Sequence, residues 1–178
     1  MQKKEMDELG RLSKSAFQDA QKMPIAVVLE NVRSMHNVGS VFRTSDAFLV
    51  QKIYLCGYTP KPPHRDIQKT ALGATETVAW EGVEEIGTCI SDLKNNGYSI
   101  FAVEQVHGST LLDRFTLSNN QAIALVFGNE AEGVSTSTIA LCDGCIEIPQ
   151  FGSKHSFNIS VSAGIVLWEI YKQLRTEK

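Results

Sequence analysis

No stretch of this 178-residue sequence approaches the ~20 consecutive apolar residues that a membrane span needs. The opening, MQKKEMDELGRL, is charged and has no apolar core, so no secretory signal is expected and cytoplasmic residence is. Cysteine is scarce, with four residues poorly spaced for a disulfide framework. Cys142 and Cys145 form a C-x-x-C, but no second pair completes a structural zinc site. A thioredoxin-like pair opens a helix after a strand, whereas this one closes a helix and enters a strand. Cys56 and Cys89 stand alone in apolar contexts, so all four read as buried thiols and no metal is expected. Net positive charge is missing as well. Seventeen Lys and Arg against twenty Asp and Glu give −3, which excludes a generic polyanion binder. Internal repeats, low-complexity segments and a convincing domain boundary are absent, and so is the G-x-S-x-G elbow that would support a hydrolase using Ser156 and His155.

What is present suits one domain with a real core: 43% hydrophobic and 21% charged residues. Lys3 to Gln21 reads as an amphipathic helix, with Met6, Leu9, Ala16, Phe17 and Ala20 on one face. It forms an N-terminal helical extension, residues 1–22, ahead of a domain over 23–178. Ile25 to Leu29 is a strand buried on both faces. A polar loop over 30–36 leads to Asn37, a candidate cap for a helix reaching Phe48. Lys52 to Gly57 is the next strand. Tyr58 to Asp66 is a loop with three prolines, and Ile67 to Leu72 a short helix stopped by Gly73. Thr75 to Trp80 alternates as a strand, Val83 to Asn95 forms a helix, and Tyr98 to Val103 another strand. Ser109 to Leu117 is irregular. Strands alternating with helices imply an α/β fold with a largely parallel sheet flanked by helices.

The richest stretch runs from Leu125 to Glu169. A strand through Ile123–Phe127 stops in Gly128-Asn129-Glu130, with Gly133 close behind. A second strand, Cys145 to Ile148, ends in Pro149 and the open loop Phe151-Gly152-Ser153-Lys154-His155. Ser156-Phe157-Asn158 then begins a long helix. Glycine loops at the carboxyl ends of strands, followed by a polar helix start, suit a nucleotide-like ligand. Charge is also uneven. Lys52, Lys61, Arg65 and Lys69 face a single acid, Asp66, whereas Glu76 to Asp92 holds five acids and no base. Binding of any polyanion would therefore need a local patch.

GNEAEGVS and IPQFGSKHSFNISVSAGI resemble the second and third motifs of the SpoU (TrmH-like) RNA ribose methyltransferases of the SPOUT superfamily, and Asn37-Val38-Gly39-Ser40-Val41-Phe42-Arg43-Thr44 resembles the first. The three lie in the family's order, with Gln150 where Met is usual and Phe157 where Leu is usual. The resemblance implies a C-terminal deep trefoil knot, a topology that sequence pattern alone would not propose. It implies methyl transfer from S-adenosylmethionine to a ribose 2′-hydroxyl of a structured RNA. Asn37, Arg43, Glu130, Ser156 and Asn158 fall on the family's polar catalytic positions. Gly128 and Gly133 give the cofactor room, and Ile148 and Phe157 border its adenine. Arg33, Lys61, Arg65 and Lys69 are the expected RNA contacts. A guanidinium keeps its proton in almost any setting, so Arg43 reads as a clamp on a neighbouring phosphate and the developing alkoxide rather than a base. Glu130 would orient Arg43 or Asn158. Lacking a recognisable additional RNA-binding domain, the chain is expected to act on tRNA rather than rRNA. Two alternatives remain: a non-catalytic RNA-binding or assembly factor, and a base-nitrogen methyltransferase. The Asn37/Arg43 motif favours ribose over base.

The C-terminal helix adds a partner. From Ile159 to Leu174 apolar residues fall almost all round the cylinder, leaving Ser162, Glu169 and Gln173 as a polar strip. One face covers the sheet, and a second copy of the chain is expected to cover the rest, giving a homodimer.

Overall fold

The structure, a computed structural model, describes residues 2–5, 8, 10–118 and 121–176. Seven strands form one parallel sheet: β1 (Met23–Glu30), β2 (Val50–Cys56), β3 (Trp80–Val83), β4 (Tyr98–Val103), β5 (Thr110–Leu111), β6 (Ala122–Phe127) and β7 (Gly144–Glu147), in the order β3-β2-β1-β6-β4-β7-β5. β1 lies mid-sheet, with Val27 opposite Ile53 on β2 and Leu125 on β6. Its run from Ile25 to Leu29 is fully buried, as a parallel strand covered on both faces requires.

Alternation along β1 and β6 divides the core in two. Ile25, Val27, Leu29, Ile123 and Leu125 pack under α2 (Met35–Ala47), α3 (Arg65–Ala71) and α6 (Ile159–Thr176). Ala26, Val28, Ala124 and Val126 pack on the opposite face, under Cys89, Ile90 and Leu93 of α4 (Ile86–Asn95). The smaller side chains on that second face let α4 sit close.

Several boundaries differ from expectation. α1 spans only Lys14–Asp19, capped by the Ser13 hydroxyl at the Ala16 N–H, with Phe17 buried against the body. Met6 and Leu9 lie outside the described residues. α2 starts at Met35 because Ser34, not Asn37, caps it: the Ser34 hydroxyl accepts from the Asn37 N–H. Asn37 is thereby moved into the first turn, its side chain free for other work. The strand expected over 75–80 is a short 3-10 turn, Ala74–Glu76. Leu72 and Gly73 both take left-handed backbone conformations there, and the Thr77 hydroxyl donates to Asp46 and Ala74 O. The strand after it begins only at Trp80. Ser156-Phe157-Asn158 stays outside α6, and Asn158 Oδ1 accepts from Ser160 N at 2.9 Å as a cap.

Candidate active site

Three loops leave the carboxyl ends of adjacent strands and enclose a cleft of about 540 Å³. Val103 to Gln105 follow β4, Phe127 to Gly133 follow β6, and Ile148 and Gln150 follow β7. The segment from His155 to Ile159 closes the fourth side. Clefts at the carboxyl edge of a parallel sheet are the ordinary ligand sites of such folds.

The β6 loop is held from both sides. Gly133 has φ +70°, open to glycine at little cost, and a Cβ there would run into the Glu104 carboxylate. A Cβ on Gly128 would meet the Gly133 backbone, so both glycines are required by close approach. Asn129 closes the turn. Its Oδ1 accepts from the N–H groups of Ala131 and Glu132 at 2.8 and 3.2 Å, and its Nδ2 donates to Asn31 O and Tyr58 Oη at 2.9 and 2.8 Å. Glu104 Oε2 accepts from Val134 N at 2.9 Å. Deeper in, the buried Glu30 carboxylate accepts from Ser135 N, Ser135 Oγ and Thr138 Oγ1 at 2.7–3.0 Å, pinning the start of α5 (Thr136–Ile139) to the end of β1.

A polar chain joins the three sequence motifs. Glu130 Oε2 accepts from Arg33 N, and Oε1 from Ser34 N and Asn37 Nδ2, all at 2.9 Å. Asn37 Oδ1 in turn accepts from Asn158 Nδ2 at 3.1 Å. Burial works to raise the Glu130 carboxyl, but the Arg33 N–H, the Asn37 amide and the Ser34 N–H outweigh it and hold it below the ordinary carboxylate range. Glu130 therefore orients Asn37 directly, and Asn158 through it. Its hydrogen-bond partners do not include Arg43.

Most of the expected site residues converge. Gly128, Gly133, Ile148 and Phe157 line the cleft together with Glu130, Ser156 and Asn158. Asn37 stands behind Glu130. Arg43 does not join them. It is exposed and lines a separate cleft between α2, α3 and the α1 segment, beside Arg11, Asp46 and Leu72. Six residues along a helix advance ~9 Å and turn the side chain ~120° away, which separates Arg43 from Asn37. Of the expected RNA contacts, Arg33, Lys61 and Arg65 are exposed, whereas Lys69 is paired with Asp66 at 2.7 Å.

Sequence reading missed Glu30, Glu104 and Asn129, all of which position the β6 loop. An acid or amide at a strand's end was the available signal. Of the four cysteines, expected to be buried, Cys56 and Cys89 are buried and Cys142 and Cys145 are half-buried. Cys142 donates to Thr138 O, and burial pushes its thiol up to about 12. Contact with Cys89 and burial both raise Cys56, and burial raises Cys145. Among the described residues, no three His, Cys, Asp or Glu side chains are gathered to hold a metal.

The SpoU rRNA Methylase family model matches residues 24–168. The chain is 32% identical over 157 residues to the 23S rRNA (guanosine-2'-O-)-methyltransferase RlmB of Neisseria meningitidis, covering 87% of this chain and 62% of that protein. It is 28% identical to a putative TrmH family tRNA/rRNA methyltransferase of Staphylococcus haemolyticus, covering 87% and 61%. It thus spans about three-fifths of the length of these relatives. The crystal structure of an A. aeolicus TrmH/SpoU tRNA modifying enzyme superposes with a TM-score of 0.80 at 28% identity, covering 92% of this chain and 81% of that one. AviRb of Streptomyces viridochromogenes, solved with AdoMet, gives 0.79 at 20% identity, covering 90% and 64%.

Proposed function

The chain belongs to the SpoU rRNA methylase family, and from that premise we propose that it transfers a methyl group from S-adenosylmethionine to a ribose 2′-hydroxyl of RNA. The observation that carries the reading is the Glu130–Asn37–Asn158 chain, which gathers three distant motifs at one cleft.

The cleft's own features fit the cofactor. The two obligatory glycines leave backbone exposed where an adenine edge can be read, and Ile148 and Phe157 offer apolar surface for its ring. Glu104, Glu130 and Glu132 lean the lining toward negative charge, which suits a cationic donor. When bound, that donor supplies an electrophilic methyl on sulfur. The protein's part is then positioning and proton handling. Asn158, fixed by Asn37, presents an amide at the cleft wall, and Ser156 presents a hydroxyl there. Arg43 clamps a phosphate and stabilises the developing alkoxide.

Arg43 opens onto another cleft of the same chain, so a homodimer forms part of the reading: a second copy brings its Arg43 to this cleft. The apolar face of α6 supports pairing, with Trp168 51% exposed and Val161, seven residues earlier on the same face, 48% exposed. The deep trefoil knot over the segment from β6 to α6 is carried within the same proposal. The fold likeness to SpoU structures supports it. Among the described residues no helix is long and apolar enough to cross a membrane, and RNA modification suits the cytoplasm.

A tRNA is the first substrate to test, because the A. aeolicus tRNA modifying enzyme is matched over 81% of its length. Purified protein is incubated with methyl-labelled cofactor and separate tRNA and rRNA pools, and modified sites are mapped by resistance of the 2′-O-methylated linkage to alkali. Label in tRNA at alkali-resistant positions is expected. Label on bases would favour nitrogen methylation, and cofactor binding without transfer to either pool would leave a non-catalytic RNA-binding factor.

A further inference from the structure

We propose that Phe151, together with Tyr58, is a stacking platform for unpaired RNA bases flanking the nucleotide to be methylated. The substrate is then a loop or single-stranded segment. This inference rests on the RNA reading above and names the form of RNA that the cleft accepts.

Phe151 is 97% exposed, immediately after Gln150 on the cleft wall. An extruded ring leaves apolar area in water that a stacked ligand would cover. Its neighbours say what kind. From Ile148 to Asn158 there is no acidic residue, and Ser153, Lys154 and His155 share the exposed loop. A protein-docking anchor is normally ringed by further apolar side chains. Here only Phe157 of the same segment is a further exposed large apolar side chain, and the exposed pair Val161 and Trp168 lies elsewhere, on α6. An open ring with a lysine close by in an acid-free loop suits a base that stacks while its phosphates meet Lys154.

The other loop repeats the pattern. Tyr58 is 61% exposed. Its hydroxyl accepts from Asn129 Nδ2 at 2.8 Å and its N–H donates to Asn31 Oδ1 at 3.2 Å, which fixes the ring relative to the β6 loop and leaves its face open. Lys61, His64 and Arg65 follow with no acid between. Phe151 thus follows Gln150 of the cleft lining and Tyr58 is bonded to Asn129 of it, and each open ring is followed by basic residues, Lys154 in one loop and Lys61 and Arg65 in the other. A base inside a duplex already has both faces covered by its neighbours, so such rings select unpaired nucleotides.

The test measures binding of a mixed-sequence single-stranded RNA 12-mer, and of the same strand annealed to its complement, at low salt. Phe151→Ala is expected to weaken the single strand about fivefold to a hundredfold. Phe151→Trp should restore affinity and Phe151→Leu should not, because aromaticity rather than apolar bulk is required. Duplex binding should be indifferent to all three. Calorimetric affinity for S-adenosylmethionine, unchanged in Phe151→Ala, shows that the variant is folded. Unaltered single-strand binding by Phe151→Ala, or equal rescue by Leu and Trp, overturns the platform. A halved mass of Phe151→Ala by light scattering would overturn it too, because a second copy would then cover the ring. These results are separate from failure of the parent reading, which would appear as wild-type protein that binds cofactor but transfers no methyl to RNA.

Discussion

Glu130 collects two backbone N–H groups and the Asn37 amide at the start of α2, where a carboxylate also meets the positive end of the helix. Glu130→Gln keeps the shape and removes the charge. It should cost about 1 kcal/mol at neutral pH and reduce methyl transfer, because Asn37 and Asn158 lose their anchor. The folded carboxyl sits below its ordinary 4.5, so its stabilisation is complete above that value and fades as pH falls through the lowered one. Melting curves of wild type and variant should therefore differ at pH 7 and converge in acid, once the pH has fallen below the lowered value. A gap that persists in acid would contradict this account. Arg43→Ala should abolish transfer, by at least about a hundredfold, and leave cofactor affinity within twofold, since Arg43 is not among the residues lining the cofactor cleft. Near-normal turnover by Arg43→Lys would exclude a bidentate clamp. Residues within the motifs were legible because their types and spacing recur as a set. Glu30 and Glu104 were not: each acts on backbone 30 or more positions away, across strands whose order the sequence does not state.

Elements were legible where one signal dominated. β1 and β6 are continuous apolar runs, and both formed as expected. For α2 the expected cap was Asn37, and Ser34, three residues earlier, caps the helix instead. Residues 75–80 alternate like a strand, yet the left-handed turn at Leu72 and Gly73 and the Thr77–Asp46 hydrogen bond override that pattern. The proline loop gives a prediction at this scale. Lys61, Arg65 and Lys69 are all exposed, and Lys69 is paired with Asp66 at 2.7 Å within α3. Replacing Lys61 and Arg65 together with Ala should weaken RNA binding and flatten the slope of log affinity against log salt by about 1.5 to 2. Lys69→Ala should barely change it. Equal effects from all three positions would mean that the local ion pair does not govern which cations meet phosphate.

For the whole molecule, the decisive surface is the outer face of α6. Trp168 stacks beside Tyr171 and Phe48, with ring centroids 6.1 and 6.0 Å away, so its ring is held in place yet half open to solvent. α1 is too short to reach over this face: it is six residues long and packs through Phe17 beside α2. Light scattering at micromolar concentration should give twice the chain mass, and Trp168→Glu should give a folded monomer with little transfer activity. An active wild-type monomer would rule out the pairing and the shared use of Arg43.

The polar chain at the cleft also has a consequence for how the protein is made. Asn37 waits for Glu130, 93 residues later, and for Asn158, 121 residues later. At ~5–20 residues per second of synthesis, the second wait is on the order of 6–25 s. During that interval the ribosome holds a chain with its first motif made and nothing to complete it. A chain cut short before Asn158 lacks the last member of the Glu130–Asn37–Asn158 chain, and on the proposed reading it is expected to transfer no methyl group.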